Sequence, residues 1–263
     1  MTDSRRSREP RDRPRGRVST FAHDGAQIVV EEHGVGSRTF VLLHGIGMGR
    51  SVFADLIHEL GDDAQTIAID LPGYGEAAEP PRTPTIERLA DIVGAALQDR
   101  PRSDVTVVGH SMGTQVAVEL AARHPRLVDR VVLVGPTVDT EARTASRQLL
   151  RLAHDLAIES PTVIVRGGRE YLRAGPNLRL KMRAMLSHHP EQTYPRVAVP
   201  ALVLRGSQDT VSPRRWARTV ADLLPDGRFT EIEGHGHETM IRDARPAAAA
   251  IVAFVEETPV TDG

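Results

Sequence analysis

The 263-residue chain contains no cysteine. That excludes disulfides, thiolate catalysis and cysteine-ligated metal. Aromatic residues make up only 3% of the chain against 40% hydrophobic residues in all, so the core and any pocket must be mainly aliphatic. No apolar run reaches the length needed to cross a bilayer, and no membrane association is expected. The formal charge of −2 is too close to neutral to gather nucleic acid through a global field, and none is expected as a partner. A chain of this length forms one medium-sized domain with a substantial core and room for an inserted lid.

Charge is asymmetric in one place. Through Arg17 the chain carries seven arginines against Asp3, Glu9 and Asp12, with Pro10, Pro14 and almost no apolar side chain. Such a segment has no burial to offset its ordering entropy, so residues 1–17 read as a disordered basic arm, a solvated tail rather than a nucleic-acid contact. Arg5-Arg6 suggests a twin-arginine export signal, yet no apolar run or small-residue cleavage site follows. A cytoplasmic protein is expected.

From Gln27 onward short apolar runs alternate with segments of helical period, the pattern of strands joined by crossover helices in a mostly parallel sheet. Strands are expected at Gln27–Glu32, Arg38–Leu43, Gln65–Asp70, Asp104–Val108, Arg130–Val134, Ala201–Leu204 and Phe229–Ile232. Helices are expected at Arg50–Leu60, from Thr83 with Pro84 in its first turn, from Gly113 to about His124, after Ser212-Pro213, and at Pro246–Glu256. Between Pro136 and Arg196 no convincing strand is found. Ala142, Ala145, Leu149, Leu152, Ala153 and Leu156 form an apolar stripe opposite Arg143, Arg147 and Arg151, Val163-Ile164-Val165 is ambiguous between helix and strand, and a second helix is expected over Leu178–His188. The segment 136–196 therefore reads as a helical lid inserted into a core of residues 18–135 and 197–263.

Gly109-His110-Ser111-Met112-Gly113 matches G-x-S-x-G directly after a strand and directly before a helix, where the pattern has mechanical meaning. Two glycines permit a tight turn that lifts the serine hydroxyl above the strand end. A serine is a poor nucleophile until a base removes its proton, and that base needs an orienting carboxylate. Both lie downstream, Asp209 in the loop after Ala201–Leu204 and His237 in Gly234-His235-Gly236-His237 after the last strand. The order Ser111, Asp209, His237 suits this architecture, with all three beyond carboxyl ends of strands.

At this point the chain resembles the α/β-hydrolase superfamily, from about Val18 to Val255. His44-Gly45-Ile46-Gly47 looks like the family's oxyanion loop, and Asp70-Leu71-Pro72-Gly73-Tyr74-Gly75 like its sequence after the fourth strand. Gly206-Ser207-Gln208-Asp209 resembles the acid loop, and Gly236-His237 the histidine loop. The resemblance implies a doubly wound, mostly parallel eight-stranded sheet with an inserted lid. It also implies an oxyanion hole made by the backbone N–H groups of Ile46 and Met112, where losing one donor costs on the order of a hundredfold in rate.

Several rivals remain. His235 lies two residues from His237, which the family pattern favours by its place after a glycine. Asp139 follows the strand ending at Val134, where some family members carry the acid. A lone H-x-H is weak grounds for a metal, and no metal or cofactor is expected. His188-His189 reads as exposed at a helix end, and His44 and His110 as supports rather than bases. Met182 and Met185 suggest an apolar acyl pocket, with His44 and Gly45 beside it as further candidate substrate contacts. The expected function is cleavage of an ester, thioester or lactone of a small, largely apolar acyl substrate through an acyl-enzyme. Acyl transfer and carbon–carbon hydrolysis use the same three residues, and a ligand sensor that keeps the fold is the non-enzymatic alternative.

Overall fold

Eight strands form one sheet in the order β1-β2-β4-β3-β5-β6-β7-β8. The structure is a computed structural model and describes residues 16–61, 63–140, 177–241 and 243–260. The strands are β1 (Arg17–His23), β2 (Ala26–His33), β3 (Arg38–Leu43), β4 (Ala64–Asp70), β5 (Val105–His110), β6 (Arg130–Val134), β7 (Ala201–Gly206) and β8 (Gly227–Ile232). β1 and β2 pair antiparallel, as do β2 and β4, and every pairing from β4 through β8 is parallel. The described helices are α1 (Ala54–Leu60), α2 (Ile86–Asp99), α3 (Met112–Arg123), α4 (Leu178–Ser187), α5 (Arg214–Leu223) and α6 (Arg245–Glu257).

Continuous apolar runs such as Phe40-Val41-Leu42-Leu43 mark strands covered on both faces. Alternate side chains then serve opposite layers. Val41, Leu43, Val107, Leu133 and Val203 pack with α2, α3 and α5, while Leu42, Val108, Val132, Leu202 and Leu204 pack with α1 and α6. The inward faces expected for α2 and α3, including Leu89, Val93, Val116 and Leu120, are buried.

Three local expectations are corrected. Arg17 belongs to β1 rather than to the basic arm, and it pairs with Glu32 on β2; residues 1–15 lie outside the described residues. The missed signal was Asp24-Gly25, where φ of 47° and 74° makes the tight turn that joins β1 to β2. The second helix starts at Ile86 rather than around Pro84, because the Thr85 hydroxyl caps it by accepting from Arg88 N at 3.3 Å. The first begins as a 3-10 turn at Arg50–Phe53 before becoming α1.

Of the expected lid, residues 136–140 and 177–196 are described. They hold α4 and two 3-10 turns, Pro190–Gln192 and Tyr194–Arg196. The stripe from Ala142 to Leu156, its arginines and Val163–Val165 lie outside the described residues. Among the described residues no helix is long and apolar enough to cross a membrane.

Candidate active site

Ser111 sits between β5 and α3 with φ of 53° and ψ of −118°. A non-glycine residue in this region costs roughly 1–3 kcal/mol and persists where its surroundings hold it. Here Ser111 N–H donates to Val134 O at 2.9 Å, while Ser111 O accepts from the Thr114 hydroxyl at 2.6 Å and from Thr114 N at 3.0 Å. The flanking glycines are required by close approach. A Cβ on Gly109 would lie 2.3 Å from Gly113 O, and one on Gly113 would lie 2.1 Å from Leu43 O.

The histidine and acid loops meet over the carboxyl ends of β6, β7 and β8. His237 Nδ1 lies 2.9 Å from Asp209 Oδ2, with both side chains buried. The other carboxylate oxygen, Asp209 Oδ1, accepts from Ser212 N at 2.7 Å. Gly135 brings this pair to the serine. It follows Val134, which holds Ser111 N–H, and a Cβ placed on it would come within 2.8 Å of His237 Cε1 and 3.1 Å of Asp209 Oδ2. Ser111, His237 and Asp209 are thus gathered around the end of β6.

The rivals are engaged elsewhere. Both oxygens of Asp139 accept from Arg215 Nη2, at 3.0 and 2.9 Å, whereas Asp209 faces the imidazole. His235 Nδ1 meets the Thr239 hydroxyl at 3.1 Å, and its carbonyl accepts from Gln208 N. Among the described residues no group of three or more His, Asp or Glu could hold a metal ion.

On the other side lies the segment after β3. Leu71 N–H donates to His44 Nε2 at 3.1 Å, so the ring proton is on Nδ1, which donates to Gly45 O at 2.8 Å. Burial lowers the His44 pKa and keeps the ring neutral. His44 therefore ties this loop to the Leu71 segment, with both ring nitrogens engaged. Gly45 lies beside the serine: a Cβ on it would be 3.1 Å from Ser111 Cβ. Met112 N is the first N–H of α3, a position for which a helix provides no internal acceptor.

A family model described as the alpha/beta hydrolase family matches residues 40–251. The chain belongs to the alpha/beta hydrolase family. Among its relatives is the pimeloyl-acyl-carrier-protein methyl ester esterase of Edwardsiella ictaluri, 27% identical over 250 residues that cover 85% of this chain and 95% of the relative. Among solved structures, an esterase from Exiguobacterium antarcticum superposes with a TM-score of 0.77 at 20% identity, covering 92% of this chain and 99% of the other. A hydrolase from Pseudomonas aeruginosa gives 0.76 at 20% identity, covering 91% and 98%.

In this α/β-hydrolase both methionines expected to contact substrate lie on α4. Met185 is buried in the core and Met182 packs against it. From the same helix it is Lys181 and Ala184 that line a small cavity, with Pro72, Tyr74, Leu89 and Met112 opposite. Lys181 was missed by pattern reading, since a lysine in an amphipathic helix reads as solvent-facing. It is buried, donates to Glu79 Oε2 at 2.8 Å and to Gly73 O, and stands 4.5 Å above the Tyr74 ring. The Tyr74 hydroxyl in turn donates to Met112 Sδ at 3.5 Å.

His188 is a further correction: rather than lying exposed, it is buried against Glu119 of α3, 3.0 Å away. His189, by contrast, is exposed beside Glu191.

Proposed function

We propose that this α/β-hydrolase cleaves carboxylic esters, thioesters or lactones with small, largely apolar acyl groups. The observation that carries the proposal is the 2.9 Å contact of His237 Nδ1 with Asp209 Oδ2 at the end of β6, against the strained turn that holds Ser111. Nδ1–H donates to Asp209, which leaves Nε2 as the base. His237 takes the Ser111 proton as Oγ attacks the substrate carbonyl. The N–H groups of Ile46 and Met112 receive the developing oxyanion. As the tetrahedral intermediate collapses, the carbon–oxygen or carbon–sulfur bond breaks and His237 returns the proton to the leaving group. Water, deprotonated by the same imidazole, attacks the acyl-enzyme, and the acid departs as Ser111 regains its proton. The scheme needs no metal or cofactor.

Support for an ester comes from the relative named for a methyl ester. Residues 136–196 are read as an inserted lid, of which 136–140 and 177–196 are described.

Fluorophosphonate labelling with mass-spectrometric mapping tests the reading on wild type, Ser111→Ala and His237→Ala. The expected result is stoichiometric labelling at Ser111 that both variants lose, with repeated turnover of short p-nitrophenyl esters by wild type. A folded wild type that neither labels nor turns over beyond one equivalent would replace the hydrolase with a ligand sensor.

A further inference from the structure

Arg205 is a buried cation that the reaction scheme does not use. It occupies the penultimate position of β7, an otherwise apolar strand, and is 4% exposed. Its guanidinium turns toward the loop that follows. Nε donates to Ser212 O at 2.9 Å, and Nη2 donates to Asp209 O at 2.7 Å and to Ser207 O at 3.4 Å. Nη1 pairs with Glu231, the residue in register with Arg205 on β8, so the charge is neutralised across the sheet. One planar fork thus gathers three carbonyls of the acid-bearing loop. Lysine could not reproduce this, because an ammonium has no fixed fan of donors.

The same loop is closed by Asp209 itself, whose N–H donates to Gly206 O at 3.1 Å and whose Oδ1 accepts from Ser212 N at 2.7 Å. These contacts set where Oδ2 meets His237. Without the guanidinium, carbonyls 207, 209 and 212 would converge on a buried space with no donor. The loop would have to open to reach water.

We propose that Arg205 is a positioning residue of the reaction: it holds the 207–212 loop in the one shape that presents Asp209 Oδ2 to His237 Nδ1. The proposal rests on reading Ser111, His237 and Asp209 as the catalytic set. A displacement of about 1 Å at a catalytic group costs on the order of a hundredfold in rate, which sets the effect to look for.

The test is a double-mutant cycle in the full-length enzyme. Arg205→Met and Arg205→Lys are made alone and with Asp209→Asn. Turnover of p-nitrophenyl butyrate is normalised to fluorophosphonate-labelled sites, so that unfolded protein does not count. With Asp209 present, Arg205→Met is expected to lower kcat about a hundredfold and Arg205→Lys about tenfold, with KM within about twofold of wild type. The acidic limb of kcat/KM is expected to move to lower pH, because the imidazolium loses its aligned carboxylate. In the Asp209→Asn background neither substitution changes kcat by more than about twofold. The lysine variant carries the cycle alone if the methionine variant does not fold. A plain strut would lower Tm equally in both backgrounds and leave normalised kcat and the acidic limb at wild-type values, which overturns the proposal. If Asp209→Asn alone leaves kcat unchanged, it is the catalytic set that has failed, and the positioning role falls with it.

Discussion

His110 and His237 are coupled through both backbone and ring: His110 Nε2 donates to the carbonyl of His237 at 3.1 Å, and the ring centroids lie 5.0 Å apart. The residue before the serine thus holds the backbone of the histidine loop. It does so as a neutral imidazole, since burial, with the neighbouring His237 adding to it, pushes the His110 pKa from 6.5 down to about 3.

That depression has a stability consequence of definite sign. Below pH 6.5 the unfolded chain protonates His110 while the folded chain stays neutral until about pH 3, so acid favours unfolding across that window. His44 acts in the same direction. The downshifted carboxylate of Glu119, whose ordinary pKa is 4.5, adds its own loss only at lower pH. Urea midpoints are therefore expected to fall between pH 6.5 and 4.5, each histidine contributing at most about 1.4 kcal/mol per pH unit. His110→Gln should flatten the profile, and a slope as steep as that of wild type would refute the assignment.

Exchange of the two candidate acids separates them. Asp209→Asn is expected to reduce kcat by roughly a thousandfold to ten-thousandfold, because the wrong imidazole tautomer is then held. Asp139→Asn should cost about 1–3 kcal/mol of stability through its contacts with Arg215 and leave kcat per labelled site within a few-fold. Steady-state kinetics on purified variants, with chemical denaturation alongside, decides between them.

Gly135→Ala places a methyl group in the space His237 occupies, at a position with φ of 57°. The expected outcome is a loss of about 1–3 kcal/mol in stability together with at least about a tenfold fall in the rate of fluorophosphonate labelling. Unchanged labelling would mean that the imidazole has room to move without penalty.

Glu119 couples the segment after α4 to the helix that begins at Ser111. Burial works to raise its pKa, and hydrogen bonds from His188 and Thr193 more than reverse that, so the carboxylate stays ionised. Glu119→Ala strips both groups of this acceptor in a buried place and is expected to cost about 3 kcal/mol, measured by urea denaturation.

The legible parts of this protein were those governed by local chemistry. Gly109–Gly113 could be recognised because a tight strand-to-helix turn demands glycine at both ends, and the strands because runs such as Phe40–Leu43 are apolar throughout. Position 205 was illegible. An arginine at a strand end reads as a solvent-facing residue, and nothing nearby in sequence shows that Glu231 and three loop carbonyls will close around it. Lys181 was passed over and His188 misread for the same reason, since Glu79 and Glu119 lie about a hundred and about seventy residues away along the chain.

By itself the sequence determined the alternation of strands and helices and the tight turn around Ser111, because each depends on backbone preference or short-range spacing. Tertiary structure alone decided which acid faces the imidazole. Asp139 and Asp209 follow adjacent strands, and the sheet packs Asp209 against His237 while Arg215 takes Asp139. That choice depends on which partners satisfy buried charges once β6, β7 and β8 lie side by side, and such partners are set by the fold rather than by distance along the chain.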